Sequence, residues 1–228
     1  MRRPFRRPAA LLAAPLLAAA LLAAPAAAQN DPDQRPQLSK ADEAAVERVE
    51  DYLEGVDTMH AQFLQTSSNG TTARGEVWLH RPGKLRFEYD DPNPYMLVSN
   101  GTLLLYWDRE LDQTSYVPIS ETPLWFLLED EIDVSAADGY RIARVSQDKA
   151  TLELQIVQEG SWVNEPGSVA LIFQDDPLRL KKWRIVDQQG VATEVALLEP
   201  RFGVQVDPDL FDFGELDLPS QFQQQNNR

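Results

Sequence analysis

From residue 58 onward, apolar and polar residues alternate with a period of two, the mark of strands with one apolar face and one wet face. The alternation is sharpest over 75–89, GEVWLHRPGKLRFEY. There Val77, Leu79 and Arg81 share one face, and Leu85, Phe87 and Tyr89 follow after a Pro-Gly break. The pattern predicts strands near 58–67, 74–81, 84–90, 95–99, 102–107, 112–117, 140–146, 150–157, 168–174, 178–186 and 191–198. Asn100-Gly101 predicts a two-residue hairpin turn and Gln189-Gly190 a weaker one, so neighbouring strands run antiparallel. Between Leu180 and Trp183 the apolar parity slips by one, which predicts a bulge near Lys181-Lys182.

Upstream of the strands the period lengthens. Val46, Val49, Leu53 and Val56 recur at helical spacing, with Ser39 as N-cap and Asp42 placed to complete a capping box. One further segment breaks the strand run, 120–131, SETPLWFLLEDE. Ser120 and Pro123 suit a helix start, and Leu124, Trp125, Phe126, Leu127 and Leu128 then follow without a polar residue. Five consecutive apolar side chains cover more than one face of so short a helix. The segment is either a buried connector or a lid with apolar residues on two sides.

The pattern as a whole is mainly β (α+β). About eleven antiparallel strands, an N-terminal helix and a helical segment mid-chain predict an unclosed antiparallel barrel or strongly curved sheet. Leu85, Phe87 and Tyr89, then Leu103, Leu105 and Trp107, then Leu171 and Phe173 with Val169 are expected along its concave face. That face is either a filled core or the wall of a cavity. Arg81 bears on the choice: a cation in register with Val77 and Leu79 is costly unless its guanidinium is met. A lid whose carbonyls meet it would satisfy it when closed. Alternatively, Arg81 snorkels out beside Pro82 at the strand end.

Composition narrows the setting. Residues 1–28 have four arginines, an alanine-rich apolar run and Ala26-Ala27-Ala28 before Gln29, the layout of a secretory signal peptide. Residues 29–38 are expected to be a disordered extension, 39–215 the folded domain, and 216–228 a disordered Gln/Asn-rich tail. The 228 residues carry 36 acids against 21 basic residues, a net charge of −15 that loss of the leader deepens. Such a surface disfavours nucleic acid and anionic lipid headgroups. With no cysteine, the core holds the fold without disulfides.

Phe63-Leu-Gln65, Gly75-Glu-Val-Trp78-Leu-His-Arg81-Pro82, Leu85-Arg-Phe87-Glu-Tyr89, Leu97-Val-Ser-Asn-Gly101 with Leu105-Tyr-Trp107, Pro123-Leu124 and Phe211-Asp-Phe213 together resemble the LolA-type periplasmic lipoprotein carriers. The likeness spans 40–213 and is most specific over 75–107. It implies an open barrel capped by helices, whose cavity takes the acyl chains of lipoproteins. It also implies an inner-membrane ATP-driven release complex as donor, an outer-membrane acceptor, a monomeric carrier in the periplasm and no cofactor. The arginine of the family's Arg-Pro pair latches the lid and takes part in cargo release; Arg81 stands at that position, with Val77, Leu79, Leu124, Trp125, Leu127 and Leu128 among the expected cavity residues.

Enzymatic readings find little support. His60 and His80 are the only histidines, and no zinc-binding spacing exists. Ser146-Gln-Asp-Lys149 matches an SxxK motif without its partner motifs and sits in a predicted turn. Residues 70–75 lack the lysine of a phosphate loop, and no pair of carboxylates is positioned for glycosidase work. His80, by parity, is expected to be exposed. The other readings are a carrier of a different envelope lipid or glycolipid, or a lipid-sensing domain, which needs a second domain for its output.

Overall fold

The computed structural model describes residues 38–213 apart from 123, 124, 136–138, 160 and 162. The expected leader, most of the extension and the tail lie outside the described residues. Helix α1, Lys40–Glu54, opens with the predicted capping box: the Asp42 amide donates to Ser39 Oγ, and the Ser39 amide to Asp42 Oδ2. It buries Ala45, Val46, Val49 and Leu53 and ends at Gly55, so Val56 sits just beyond it. No described helix is long and apolar enough to cross a membrane.

Eleven strands follow: β1 (Thr58–Ser67), β2 (Thr72–His80), β3 (Lys84–Tyr89), β4 (Tyr95–Asn100), β5 (Leu103–Asp108), β6 (Gln113–Pro118), β7 (Tyr140–Gln147), β8 (Thr151–Gln158), β9 (Ser168–Gln174), β10 (Arg179–Val186) and β11 (Ala192–Phe202). They form one antiparallel sheet in the order β6-β5-β4-β3-β2-β1-β11-β10-β9-β8-β7. The expected strand set and the open mainly-β architecture are thus both present. The bulge predicted near Lys181 is there too, as a register shift against β9 between Leu180 and Lys182. Gly75 permits the crowding at the sheet's centre: a Cβ there would meet the Glu88 carbonyl at 2.0 Å and the Phe63 ring at 2.8 Å.

The order has a topological consequence. One meander runs outward from β1 to β6, the other returns from β7 to β11, and the two join where β11 pairs with β1. Strands β6 and β7 are therefore opposite edges of the sheet, and residues 119–139 must cross between them. In place of the predicted helix over 120–131, this crossover has two 3₁₀ turns, Ile119–Glu121 and Trp125–Leu127. Among the described residues of the apolar run, Phe126 is buried in the core while Trp125 and Leu127 pack half-buried against it, as a short irregular segment allows and an amphipathic helix does not.

The Asn100-Gly101 hairpin is also wider than expected. Ser99 pairs with Leu104, leaving a four-residue loop in which Asn100 Oδ1 accepts from the amides of Thr102 and Leu103.

Candidate functional site

Parity along β2 puts Arg81 on the concave side, directly after the strand, where its side chain is about nine-tenths buried. Its guanidinium joins two elements. Nε donates to the Glu129 carbonyl at 2.9 Å, and Nη2 to the carbonyls of Glu129 and Asp130 at 2.8 and 2.9 Å. Nη1 donates to the Leu53 carbonyl at 2.8 Å. Leu53 lies in the last turn of α1, which has no basic residue of its own, so Arg81 supplies the cation that the negative end of the helix dipole favours. Glu54 Oε2 stands 3.5 Å from Nη2.

Two carboxylates of α1 hold the same part of the crossover. Glu54 Oε1 accepts from the Ile132 amide, and Glu50 Oε1 from the amides of Val134 and Ser135. Burial pushes the Glu50 carboxyl above its ordinary value despite those bonds, and Asp133 adds to the rise. On the sheet side the Gly83 amide donates to the Leu128 carbonyl at 2.6 Å. Gly83 needs its missing side chain, since a Cβ would come within 2.5 Å of Gly101. Residues 128–135 are thus pinned from three directions. Between Ser120 and Leu127 the described residues hydrogen-bond only within the crossover, as from Trp125 to Thr122.

Beneath the crossover lie two apolar chambers. One, of ≈ 90 Å³, is lined by Leu53, Val56, Val77, Leu79, Arg81, Leu127 and Leu180 among others. The second, of ≈ 250 Å³, is lined by Gln65, Tyr89, Leu97, Leu104, Ile119, Ile185 and Val195 among others. Leu85, Phe87, Leu128 and Trp183 line both and separate them. Leu79, Leu85, Leu97, Leu127 and Ile185 are only half-buried, as side chains facing open space are.

Of the residues expected at a cavity, Val77, Leu79, Leu85, Phe87, Tyr89, Leu127 and Leu128 are brought together here. Leu124 lies outside the described residues. Trp125 packs half-buried against the core and lines neither chamber, while Phe126 turns into the core 5.8 Å from the Tyr140 ring. Leu171 and Phe173 are on the concave side but packed solid under α1, with Phe173 edge-on to Tyr52 at 5.8 Å.

Leu103, Leu105 and Trp107 are a correction. Leu97 pairs with Tyr106 and Ser99 with Leu104, so Leu104 and Tyr106 face the concave side. Leu105 and Trp107 sit on the outer face with Met96, Val98 and Phe213, and Leu103 is exposed. The run Leu103–Trp107 is apolar throughout and hides its own parity. The Asn-Gly turn carried the signal: either a two- or a four-residue loop makes the partner of Leu97 an even-numbered residue. His80 is a second correction, being half-buried 6.2 Å from the Phe211 ring.

Sequence reasoning also passed over the half-buried Leu180 and Ile185 and the buried Trp183 of β10, and two further buried arginines. Arg86 is buried on the outer face, bonded to the Leu210 carbonyl at 3.0 Å and paired with Glu88 at 2.8 Å. Arg141 donates to the Ser161 carbonyl at 3.0 Å. Among the described residues there is no group of three or more potential metal ligands.

Residues 54–214 match the family described as outer membrane lipoprotein carrier protein LolA. The outer-membrane lipoprotein carrier protein of Chromohalobacter salexigens is 27% identical over 188 residues, covering 78% of this chain and 86% of that protein. That of Methylococcus capsulatus is 25% identical over 191 residues, covering 77% and 86%. Among solved structures, a LolA superfamily protein from Nitrosomonas europaea aligns over 76% of this chain and 98% of its own, at 9% identity and a TM-score of 0.45.

Proposed function

The chain belongs to the LolA family of outer membrane lipoprotein carrier proteins, and from that premise we propose that it is a non-enzymatic carrier of lipoproteins in the periplasm. It shields their acyl chains between an ATP-driven release complex at the inner membrane and an acceptor at the outer membrane. The observation that carries this reading is the pair of apolar chambers partly covered by a crossover whose carbonyls are held by Arg81.

The energetics demand a carrier of this kind. A sixteen-carbon chain in water costs on the order of 12 kcal/mol, at roughly 0.8 kcal/mol per methylene. An apolar cavity of about 150 Å³ takes a molecule the size of benzene. Chambers of ≈ 90 and ≈ 250 Å³ therefore hold a fraction of a triacyl group while the crossover is down. Cargo enters by displacing it, which separates Arg81 from Glu129 and Asp130 and uncovers Leu127 and Leu128. That cost is subtracted from the affinity for cargo, so an acceptor without such a latch takes the lipid over. Arg81 is the latch in this scheme, and the carrier itself needs no nucleotide.

Native mass spectrometry of protein purified from periplasm tests the reading. Co-purified triacylated protein is expected. A free glycolipid in its place would transfer the scheme to another lipid, and failure to accept lipoprotein from a reconstituted release complex would end it.

A further inference from the structure

The concave face is graded from one end of its strands to the other. At the Arg81 end the walls are mainly aliphatic around the cation: Leu79, Leu85, Leu180 and the crossover's Leu127. At the other end Gln65 on β1, Tyr89 on β3 and Thr193 on β11 line the larger chamber. The gradient continues beyond the chamber. Tyr89 is followed across the sheet by Tyr95 on β4 and Tyr106 on β5, with ring centroids 6.3 and 5.4 Å apart. Register places all three on the concave side, because Phe87 pairs with Leu97 and Leu97 with Tyr106.

These polar groups stand at the rim of an apolar space and meet one another there, the Tyr106 hydroxyl bonding to that of Tyr95. Tyr89 donates to Gln65 Oε1 at 2.8 Å, and Thr193 Oγ1 lies 3.1 Å from Ser67 Oγ. Tyr106 is 37% exposed. Burial pushes the hydroxyls of Tyr89 and Tyr106 up to about 12, so near neutral pH both keep their protons. Tyrosine suits a boundary where one end of the ring is dry and the other wet. A wholly apolar guest would leave such a rim unused.

Resting on the carrier reading above, we propose that the row Tyr89–Tyr95–Tyr106 is the subsite for the polar junction of an acylated cargo, the ester- and amide-bearing stretch where hydrocarbon gives way to peptide. The assignment fixes cargo direction: acyl termini run toward Arg81, and the peptide leaves past Tyr106. It also sets a preference. Asp108 lies on the same face of β5 and acts on Tyr106 electrostatically, and the chain is strongly acidic, so a neutral junction is favoured over an anionic headgroup.

The double variant Tyr95→Phe/Tyr106→Phe tests the subsite, since it removes two hydroxyls and leaves the rings. Binding is measured for a synthetic triacylated lipopeptide with an uncharged N-terminus and for a pyrene-labelled alkane. The variant is expected to bind the lipopeptide about tenfold more weakly, the loss of one or two hydrogen bonds, with alkane affinity unchanged. Unchanged lipopeptide affinity, or parallel weakening of both ligands, would overturn the subsite. Wild-type protein that takes the alkane but refuses the lipopeptide would instead sink the lipoprotein reading, and the subsite with it.

Discussion

The two sides of this sheet share one hydrophobic pattern and differ in what lies over them. Across β8–β9, Leu152, Leu154, Ile156, Leu171 and Phe173 are buried to 1% exposure or less, packed in one cluster with Val46 and Val49 of α1. Across β2–β4 and β10, Leu79, Leu85, Leu97, Leu180 and Ile185 stand half-buried around the chambers. A regular helix of 15 residues delivers a side chain to the sheet at every turn and fills the concavity. The crossover has two 3₁₀ turns and brings mainly Leu127 and Leu128 to the space below it. Hollowness here is a mismatch between a curved sheet and a thin cover. It is not written into the strands.

That contrast can be broken by substitution. Phe173→Ala, in the packed side, should destabilise by about 3–5 kcal/mol in urea denaturation, whereas Leu85→Ala, which already faces space, should cost about 1 kcal/mol. Equal losses would mean that the two sides are packed alike. Leu85→Glu should abolish uptake of a fluorescent apolar probe while leaving a cooperative unfolding transition; normal uptake would show that residue 85 does not meet the guest. Arg81→Leu should reduce hydrogen-exchange protection at Gly83, its bond to the Leu128 carbonyl loosened with the latch, by about tenfold and alter cargo hand-over, while Val134 keeps the protection that Glu50 gives it. Uniform protection across the crossover would remove Arg81 from the latch.

The smallest effect concerns Glu50. Its folded-state proton is held more tightly than in the unfolded chain, because burial raises its carboxyl above the ordinary value. Its contribution to stability therefore falls as pH rises from the ordinary carboxylate range through the raised value. Glu50→Gln should flatten that part of the stability profile by a few tenths of a kcal/mol, the scale of a partly exposed group; an unaltered slope would assign it elsewhere.

What could be read in advance follows from which forces are local. Eleven strands were legible because alternation is a local property of each segment, and Arg81 because a cation in an apolar row contradicts its neighbours. The face of β5 was misread because Leu103–Trp107 offers no alternation. The crossover was misread as a helix because an apolar run states burial without stating period. Whether the concave face is filled was not legible at all: Leu171 and Leu85 look alike in sequence, and the position of α1 relative to each is decided by long-range packing. Arg86 went unnoticed because its outward parity suits a charge, and only the fold brings Leu210 over it.

The ladder of the sheet stops at β6 on one side and at β7 on the other. In a sealed ring, girth is fixed by strand number and stagger, and widening it means rupturing rungs. With two loose margins the wall can uncurl by small changes of twist between neighbouring strands, every rung intact. On the carrier reading proposed above, the hold is elastic, and slim and bulky passengers can be berthed by one backbone without redesign of the hull.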